Sequence, residues 1–447
     1  MLVRVPAARR GGGGGTSLRD RRGFRSYLAG ESAGLAGTSV HVVALPALAV
    51  LELGANAGQI ALLAFLAQLP AFLLALPAGA IVDRHSKRAL MVGTDVVAAG
   101  VVAAVPVAAL AGVLAVPVLY GVALALGAVT VLHQAAAIAI VPELVEPAEL
   151  HRANARIGAA FGAADAAGSH LGTLLVALLG AARAFWLDAL SYAVSAWCAW
   201  RIPSRPRAPG PAAGGGAPAA GPGGGRRAGM ASEVWEGLAY TARTPLVRTL
   251  VLAVAVTGFA TGLMNTFFAF HLLTALRSGA TGLGVVMGAS GVGALAGALM
   301  APRIVARIGP GRTLLAGFAL CPVMSVPLVV ARPGAVWLAV LGLAGGVRLA
   351  ATAVAGTTQR ALRQQVCPPE LQSRAQQTST WLVTGSRPFA ALAGGALAAA
   401  FGVRAVLLAG TLLLVVPVAV LWWSPVSRLS SMPVPAADGP PPAVPAR

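Results

Sequence analysis

Long runs of apolar residues, separated by short clusters of arginine, restrict most strongly what this chain can fold into. Hydrophobic residues occupy 57% of the 447 positions and charged residues only 11%, whereas soluble domains carry about 25% charged residues. An apolar run of about 20 residues crosses a hydrocarbon core of about 30 Å as a helix, because a helix satisfies its own backbone hydrogen bonds. The chain is therefore predicted to be an all-α integral membrane protein.

The apolar runs predict about twelve transmembrane helices. These predicted spans cover residues 27–51, 58–82, 89–113, 115–140, 154–180, 183–201, 249–274, 281–305, 311–331, 334–357, 377–400 and 403–424. The segment Pro203 to Met230 is rich in Gly, Pro and Ala, and is typical of a flexible linker. We therefore predict an N-terminal six-helix bundle at 27–202 and a C-terminal one at 249–425. A cytoplasmic linker at 203–248, containing a short amphipathic helix, joins the bundles.

A short signature occurs twice, about 220 residues apart. Pro147 to Leu150 reads Pro-Ala-Glu-Leu and Pro368 to Leu371 reads Pro-Pro-Glu-Leu, each between two apolar runs. A hydrophobic chain made of two related halves is typical of transporters built from repeats.

The arginines predict topology rather than a nucleic-acid partner. The net charge is +19, but the arginines lie in short loops rather than on one soluble face. Their concentration in alternate loops predicts cytoplasmic N- and C-termini by the positive-inside rule. The segments 1–26, which is basic and Gly-rich, and 426–447, which is Pro-rich, are predicted to be cytoplasmic tails. We predict no cleaved signal peptide.

Several function classes are disfavoured by what the sequence lacks. The chain has no phosphate-binding loop, and Lys87 is its single lysine. Three scattered cysteines predict neither a disulfide framework nor a metal site. No catalytic cluster is present, so we expect no cofactor, no metal and no enzymatic activity, and a driving force that comes from ion gradients. Composition biased to Ala, Gly and Arg suggests a bacterial protein of the inner membrane, in contact with membrane lipids and predicted to be a monomer.

Ionisable residues inside the spans are candidate functional groups because each costs about 2.5 kcal/mol or more to insert. Glu31, Thr38 and His41 fall on one helix face. A carboxylate and an imidazole on such a face can bind protons near neutral pH. We predict Glu31, His41 and Asp165 as the proton-coupling residues.

Further polar residues predict a substrate cavity between the halves. Arg348 lies within an apolar run and needs an anionic partner, for which we consider Asp165 first and an anionic substrate second. The predicted cavity residues are Thr38, His133, Asn265, Thr266, His271 and Arg348.

The segment from Gly79 to Arg88 resembles the loop motif between the second and third spans of the major facilitator superfamily, G-x-L-a-D-r-x-G-r-k. Gly79, Asp83, Arg84, Lys87 and Arg88 match it, whereas Ile81 and Ser86 depart from it. The resemblance implies that the five matching residues form a charge relay that controls gating between the two halves. An alternative is that these charges only anchor the loop in the cytoplasm.

Other segments resemble the branch of this superfamily that contains macrolide and siderophore exporters, among them Ala44 to Pro46, Val141 to Val145, Phe185 to Tyr192 and Gly385 to Pro388. By this resemblance Asp95 and Asp188 occupy positions expected to form structural ion pairs. The fifth span departs from the family's G-P-x-x-G-G motif, since Gly168 to Thr173 contains no Pro.

The resemblance implies a secondary transporter that exports a small amphipathic compound by alternating access, in exchange for protons. One alternative is an importer or uniporter of a polar metabolite. A second is a membrane enzyme or sensor with a transporter fold.

Overall fold

The computed structural model describes residues 22–146, 149–150, 152–154, 156–158, 160, 175–176, 179–203, 243–367 and 369–429. Within them the chain is helical throughout. The helices of the N-terminal half are α1 (Arg22–Ala47), which continues into a π-helix (Leu48–Glu52), α2 (Ala57–Arg84), α3 (Lys87–Leu110), α4 (Val116–Leu144) and α5 (Ala181–Trp200). Those of the C-terminal half are α6 (Pro245–Thr274), α7 (Gly279–Ile308), α8 (Pro310–Val330), α9 (Ala335–Val366), α10 (Pro369–Phe401), α11 (Val403–Leu413), α12 (Val415–Trp422) and a 3₁₀ turn (Pro425–Arg428).

Nine helices in the described part of the chain are long and apolar enough to cross a membrane. The protein is thus an all-helical, multi-pass membrane protein, as the apolar runs predict. The fifth predicted span, 154–180, lies mostly outside the described residues, and the predicted amphipathic helix within 203–248 also lies largely outside them.

Several helices extend beyond the apolar runs that predict them. The helix α9 continues to Val366, whereas the apolar run predicts an end at residue 357. The helix α10 begins at Pro369, before its apolar run begins at residue 377. A helix needs no apolar residues once it leaves the hydrocarbon, because its backbone hydrogen bonds remain internal.

Proline lies where the regular α-helix is interrupted in two of the spans. Pro46 lies at the end of α1, immediately before the chain widens into the π-helix. The last span, predicted as one helix, is divided at Leu414 into α11 and α12. Pro417 has no backbone N–H to donate to the carbonyl four residues earlier, so the hydrogen-bond ladder is interrupted there.

Glycines bring α1 and α5 close together in the N-terminal half. A Cβ on Gly30 would lie 3.0 Å from the Cβ of Cys198. A Cβ on Gly37 would lie only 1.8 Å from Oγ of Ser191. The missing side chains let the two helices pack almost backbone to backbone, so that short polar side chains can reach from one to the other.

A second glycine seam joins α7 and α9 in the C-terminal half. A Cβ on Gly293 would lie 2.1 Å from the carbonyl oxygen of Gly346, and one on Gly297 would lie 2.4 Å from that of Ala350. The spacing of four residues places both glycines on one face of α7. Small residues at this spacing predict a packing seam, and the close approach confirms it.

The two halves share apolar packing on one side of the membrane. We call the side on which α1 begins and the α2–α3 loop lies the basic side, and the other the distal side. Toward the distal side, buried residues of both halves form one cluster, with members such as Val43, Phe185, Phe267 and Leu407. Toward the basic side the described buried residues form separate clusters, one in the N-terminal half and two in the C-terminal half. Among the described residues, the shared buried apolar packing of the two halves therefore lies on the distal side.

The contact between halves runs along α2 and α10. Phe72 of α2 stacks on Trp381 with a centroid distance of 5.8 Å, and meets Phe389 edge to face at 5.3 Å. Farther toward the distal side, a Cβ on Gly395 would lie 2.7 Å from the Cβ of Ala61. These aromatic and small residues form the described contact between α2 and α10 of the two halves.

Candidate functional site

A histidine of α4 joins two carboxylates inside the N-terminal half. Nε2 of His133 lies 2.9 Å from Oε1 of Glu31 on α1. Nδ1 of the same ring lies 3.1 Å from Oδ1 of Asp95 and 3.1 Å from the hydroxyl of Thr94, both on α3. Glu31 and Asp95 are buried, and the side chain of His133 is 16% exposed. Three helices therefore converge on one imidazole ring.

A second pair lies between α1 and α5. Nδ1 of His41 lies 2.9 Å from Oδ2 of Asp188, whose side chain is fully buried. Beside it, the hydroxyls of Thr38 and Tyr192 are 3.3 Å apart. The hydroxyl of Ser191 donates a hydrogen bond to the backbone carbonyl of Asp188. We call the Glu31–His133–Asp95 group, the His41–Asp188 pair and their hydroxyl partners the buried network.

The glycine seam positions the second pair. A Cβ on Gly37 would lie 2.6 Å from Oδ1 of Asp188 as well as overlapping Ser191. Glycine at this position therefore leaves the space that the carboxylate occupies against the α1 backbone. His41, one turn farther along α1, then meets the same carboxylate.

The charges of the buried network do not cancel. It contains the three carboxylates Glu31, Asp95 and Asp188 and the two imidazoles of His41 and His133. Even with both imidazoles protonated, one negative charge remains, and isolated buried charge is costly. Oδ2 of Asp95 and Oδ1 of Asp188 are buried acceptors without a hydrogen-bond partner. The network can therefore take up a proton on a carboxylate oxygen that is already free to accept it.

The three predicted residues on one face of α1 contact two different helices, α4 and α5. Glu31 contacts His133, whereas His41 contacts Asp188 and Thr38 contacts Tyr192. Asp95 and Asp188, at positions where the resemblance implies structural ion pairs, each contact a histidine of the candidate site. Thr94, Ser191 and Tyr192 are not among the predicted site residues. Ser191 and Tyr192 belong to the segment Phe185 to Tyr192 that resembles exporters, and Thr94 is marked only as a polar residue inside an apolar run.

The predicted cavity residues of the C-terminal half occupy different surroundings. Thr266 is buried and donates its hydroxyl to the carbonyl of Gly262 within α6. His271 is 1% exposed, near the distal end of α6, with Nε2 unpartnered. Both are enclosed by protein in this conformation, so neither lines an open cavity. Asn265 is exposed.

Arg348 lies at mid-helix in α9. Its backbone carbonyl accepts a hydrogen bond from the hydroxyl of Thr352, which also lies 3.4 Å from the thiol of Cys321. Among the described residues no carboxylate forms an ion pair with Arg348. Asp165, the predicted partner, lies outside the described residues.

The predicted charge relay is tied to the N-terminal half. Nζ of Lys87 lies 2.5 Å from Oε1 of Glu143 at the end of α4. The guanidinium of Arg88 donates to the carbonyl of Trp200 at the end of α5. Arg84 is exposed, and a Cβ on Gly79 would have nothing within 4 Å. The side chain of Asp83 lies outside what the structure describes.

These contacts stay within one half. Lys87 and Arg88 bind the ends of α4 and α5, both of the N-terminal half. A latch between halves would use the same groups in the conformation closed on the basic side. Both the relay and the simple anchor therefore remain compatible with the geometry.

No group of three or more metal-ligating side chains in the described part of the chain is arranged to hold a metal ion. The imidazoles of His41 and His133 instead contact the carboxylates of Asp188, Glu31 and Asp95. The chemistry that this arrangement supports is proton uptake and release.

The sequence profile of a known family matches almost the whole chain. That family is described as transmembrane secretion effector, and the match covers residues 18–446. A comparison with curated proteins found no match.

Solved transporters share the fold. A mutant of the nucleoside transporter NupG is similar with a TM-score of 0.73 at 11% identity, over 89% of this chain and 98% of that chain. A bacterial homologue of the iron transporter ferroportin, in an inward-facing state, gives 0.68 at 17% identity, over 91% and 98%. A bacterial homologue of the human lysosomal transporter Spinster, inward-facing and unoccupied, gives 0.62 at 16% identity, over 93% and 98%. At these identities the likeness establishes the major facilitator fold alone.

Proposed function

We propose that this chain, which belongs to the transmembrane secretion effector family of the major facilitator superfamily, exports a small amphipathic compound in exchange for protons. The family and fold make it a secondary transporter. Direction, substrate class and coupling ion are the proposed parts.

The buried network is the observation that supports proton coupling. It places three carboxylates and two imidazoles on α1, α3, α4 and α5 of one half, with one uncompensated negative charge. Intramembrane ionisable residues that pair with one another mark proton relays. His41 and His133 are 17% and 16% exposed, so each pair has one partner that water can reach.

Alternating access gives this network a role in the cycle. In the conformation closed on the distal side, the network releases a proton from a carboxylate toward the basic side. After the deprotonated transporter has carried its substrate to the distal side, the network binds a proton there. A ligand that binds two states differently shifts their populations, and the proton is such a ligand.

Export of an amphipathic compound is supported by the family and by aromatic residues between the two halves. The family description names secretion. The resemblance of several segments to macrolide and siderophore exporters points the same way. Phe72, Trp381 and Phe389 form an aromatic contact between the halves, and aromatic side chains suit the apolar part of an amphipathic ligand.

The orientation that fits this proposal has the basic side in the bacterial cytoplasm. Arg25, Arg84, Lys87 and Arg307 all lie at helix ends on that side. Positive residues concentrate in cytoplasmic loops. The N- and C-termini then lie in the cytoplasm, and the conformation described here faces inward.

The test measures proton-driven uptake of an amphipathic cationic dye into everted membrane vesicles. Glu31→Gln and Asp95→Asn should abolish accumulation under an imposed pH gradient while dye exchange across the membrane continues. Exchange requires rocking of the halves but no proton release. Glu52→Gln is the matched control, since Glu52 is an exposed acid of the same span, outside the network. Asp165→Asn tests the remaining predicted carrier.

Two results would contradict the proposal. Accumulation by Glu31→Gln and Asp95→Asn at the parent's level would place coupling elsewhere. Dye accumulation in right-side-out rather than everted vesicles would show import.

A further inference from the structure

A groove lies between α1 and α5 at the basic side of the N-terminal half, apart from the buried network. Its volume is about 630 Å³, and it is lined by Arg22, Arg25, Ser26, Trp197 and Arg201 together with two small residues. No residue of the network's ion pairs lines it.

The groove is strongly cationic. Arg22 and Arg25 lie three residues apart on one face of α1, and Arg201 follows the end of α5 opposite them. All three arginines are exposed, and none forms an ion pair with a described carboxylate. No acidic residue is among the lining residues. Three guanidinium groups around one cavity, with the hydroxyl of Ser26 beside them, match a ligand with several anionic oxygens.

One wall of the groove is aromatic. The ring of Trp197 is 52% exposed, and the guanidinium carbon of Arg201 lies 4.0 Å from its centroid. This stacking holds Arg201 against the wall of the groove. Exposed tryptophan is enriched where the headgroups meet the hydrocarbon. The groove therefore lies at headgroup level.

An apolar track leads from the groove toward the middle of the membrane. Trp186, Leu190, Val194 and Trp197 are all exposed and follow one another at spacings of four, four and three residues along α5. This stripe is about 16 Å long, close to half of a hydrocarbon core of about 30 Å. A free phosphate would use only the arginines, whereas a phospholipid would use the arginines and the track.

We propose that this groove binds the headgroup phosphate of an anionic phospholipid from the leaflet on the basic side, with an acyl chain along the apolar track of α5. Basic pockets between transmembrane helices are suited to such headgroups. Because the lipid bridges arginines of both helices, it holds the basic end of α1 against α5.

The test uses the full-length protein in detergent, with bound lipids counted by native mass spectrometry. Phosphatidylglycerol and phosphatidylcholine of identical acyl chains are added in equal amounts. The parent should retain phosphatidylglycerol selectively. The double variant Arg22→Gln/Arg25→Gln should bind it about 25-fold more weakly, since each arginine near an anionic surface contributes about a five-fold factor. Arg303→Gln/Arg307→Gln is the matched control, with two exposed arginines of α7 on the same side.

Additional variants and competitors separate the possible outcomes. Arg201→Gln changes the other wall of the groove and should also weaken binding, so it replaces the double variant if that one inserts poorly. Equal retention of phosphatidylglycerol by parent and groove variants would overturn the proposal. Equal retention of phosphatidylcholine would do the same. Displacement of phosphatidylglycerol by glycerophosphate at the same concentration would show that the groove is a site for soluble phosphate compounds instead.

Discussion

Nδ1 of His41 on α1 lies 2.9 Å from Oδ2 of Asp188 on α5, and the carboxylate is fully buried. The pair can form because Gly37 brings the two helices together. Since Oδ1 of Asp188 has no hydrogen-bond partner, His41 is its principal charge partner among the described residues.

Removing the imidazole of His41 should therefore destabilise the protein more than neutralising the carboxylate of Asp188. Breaking a buried pair costs about 3–5 kcal/mol when an uncompensated charge remains. We expect His41→Ala to lower the melting temperature in detergent clearly, Asp188→Asn to lower it less, and the double variant to regain stability relative to His41→Ala. His85→Ala is the control, because His85 is exposed. Additive losses in the double variant would show that the two side chains do not interact.

The sequence predicts the helices well because the hydrocarbon core imposes their length and apolar character. It also places Glu31 and His41 on one helix face, which follows from the helical period alone. It does not predict that Glu31 meets His133 or that His41 meets Asp188. Those contacts depend on how each helix is rotated and how deeply it is set against its neighbours. For α1 and α5 the glycine seam sets both quantities, and its partner residues lie far away in the chain.

Gly293 should tolerate no side chain. A Cβ there would lie 2.1 Å from a backbone carbonyl oxygen of α9, and backbone cannot move aside as a flexible side chain can. We expect Gly293→Ala to lower the melting temperature and the amount of folded protein in the membrane. Gly291→Ala, in the same helix, has nothing within 4 Å of the added methyl group and should leave both unchanged. Equal effects of the two substitutions would contradict the close packing of α7 and α9.

Asp83 should control the conformational cycle rather than folding. The neighbouring Lys87–Glu143 pair is partly exposed, and such pairs contribute about 0–1 kcal/mol to the free energy of unfolding. Lys87→Gln should therefore change stability little. Asp83→Asn should leave membrane levels unchanged and reduce export strongly, because a two-state latch loses its bias when one charge is removed. Labelling of cysteine probes on the distal side reports the conformational balance. Identical labelling and export in Asp83→Asn and parent would support the simple anchor.

Locking the distal side should stop transport. A Cβ on Gly395 would lie 2.7 Å from the Cβ of Ala61 across the two halves, and a disulfide needs about 3.5–4.5 Å between Cβ atoms. Ala61→Cys/Gly395→Cys, in a chain with the three native cysteines replaced, should therefore crosslink after a small separation of α2 and α10. Oxidation should abolish dye transport and reduction should restore it, because alternating access requires the halves to part on the distal side. Each single cysteine variant under the same oxidant is the control. Undiminished transport by fully crosslinked protein would show that α2 and α10 stay together through the cycle.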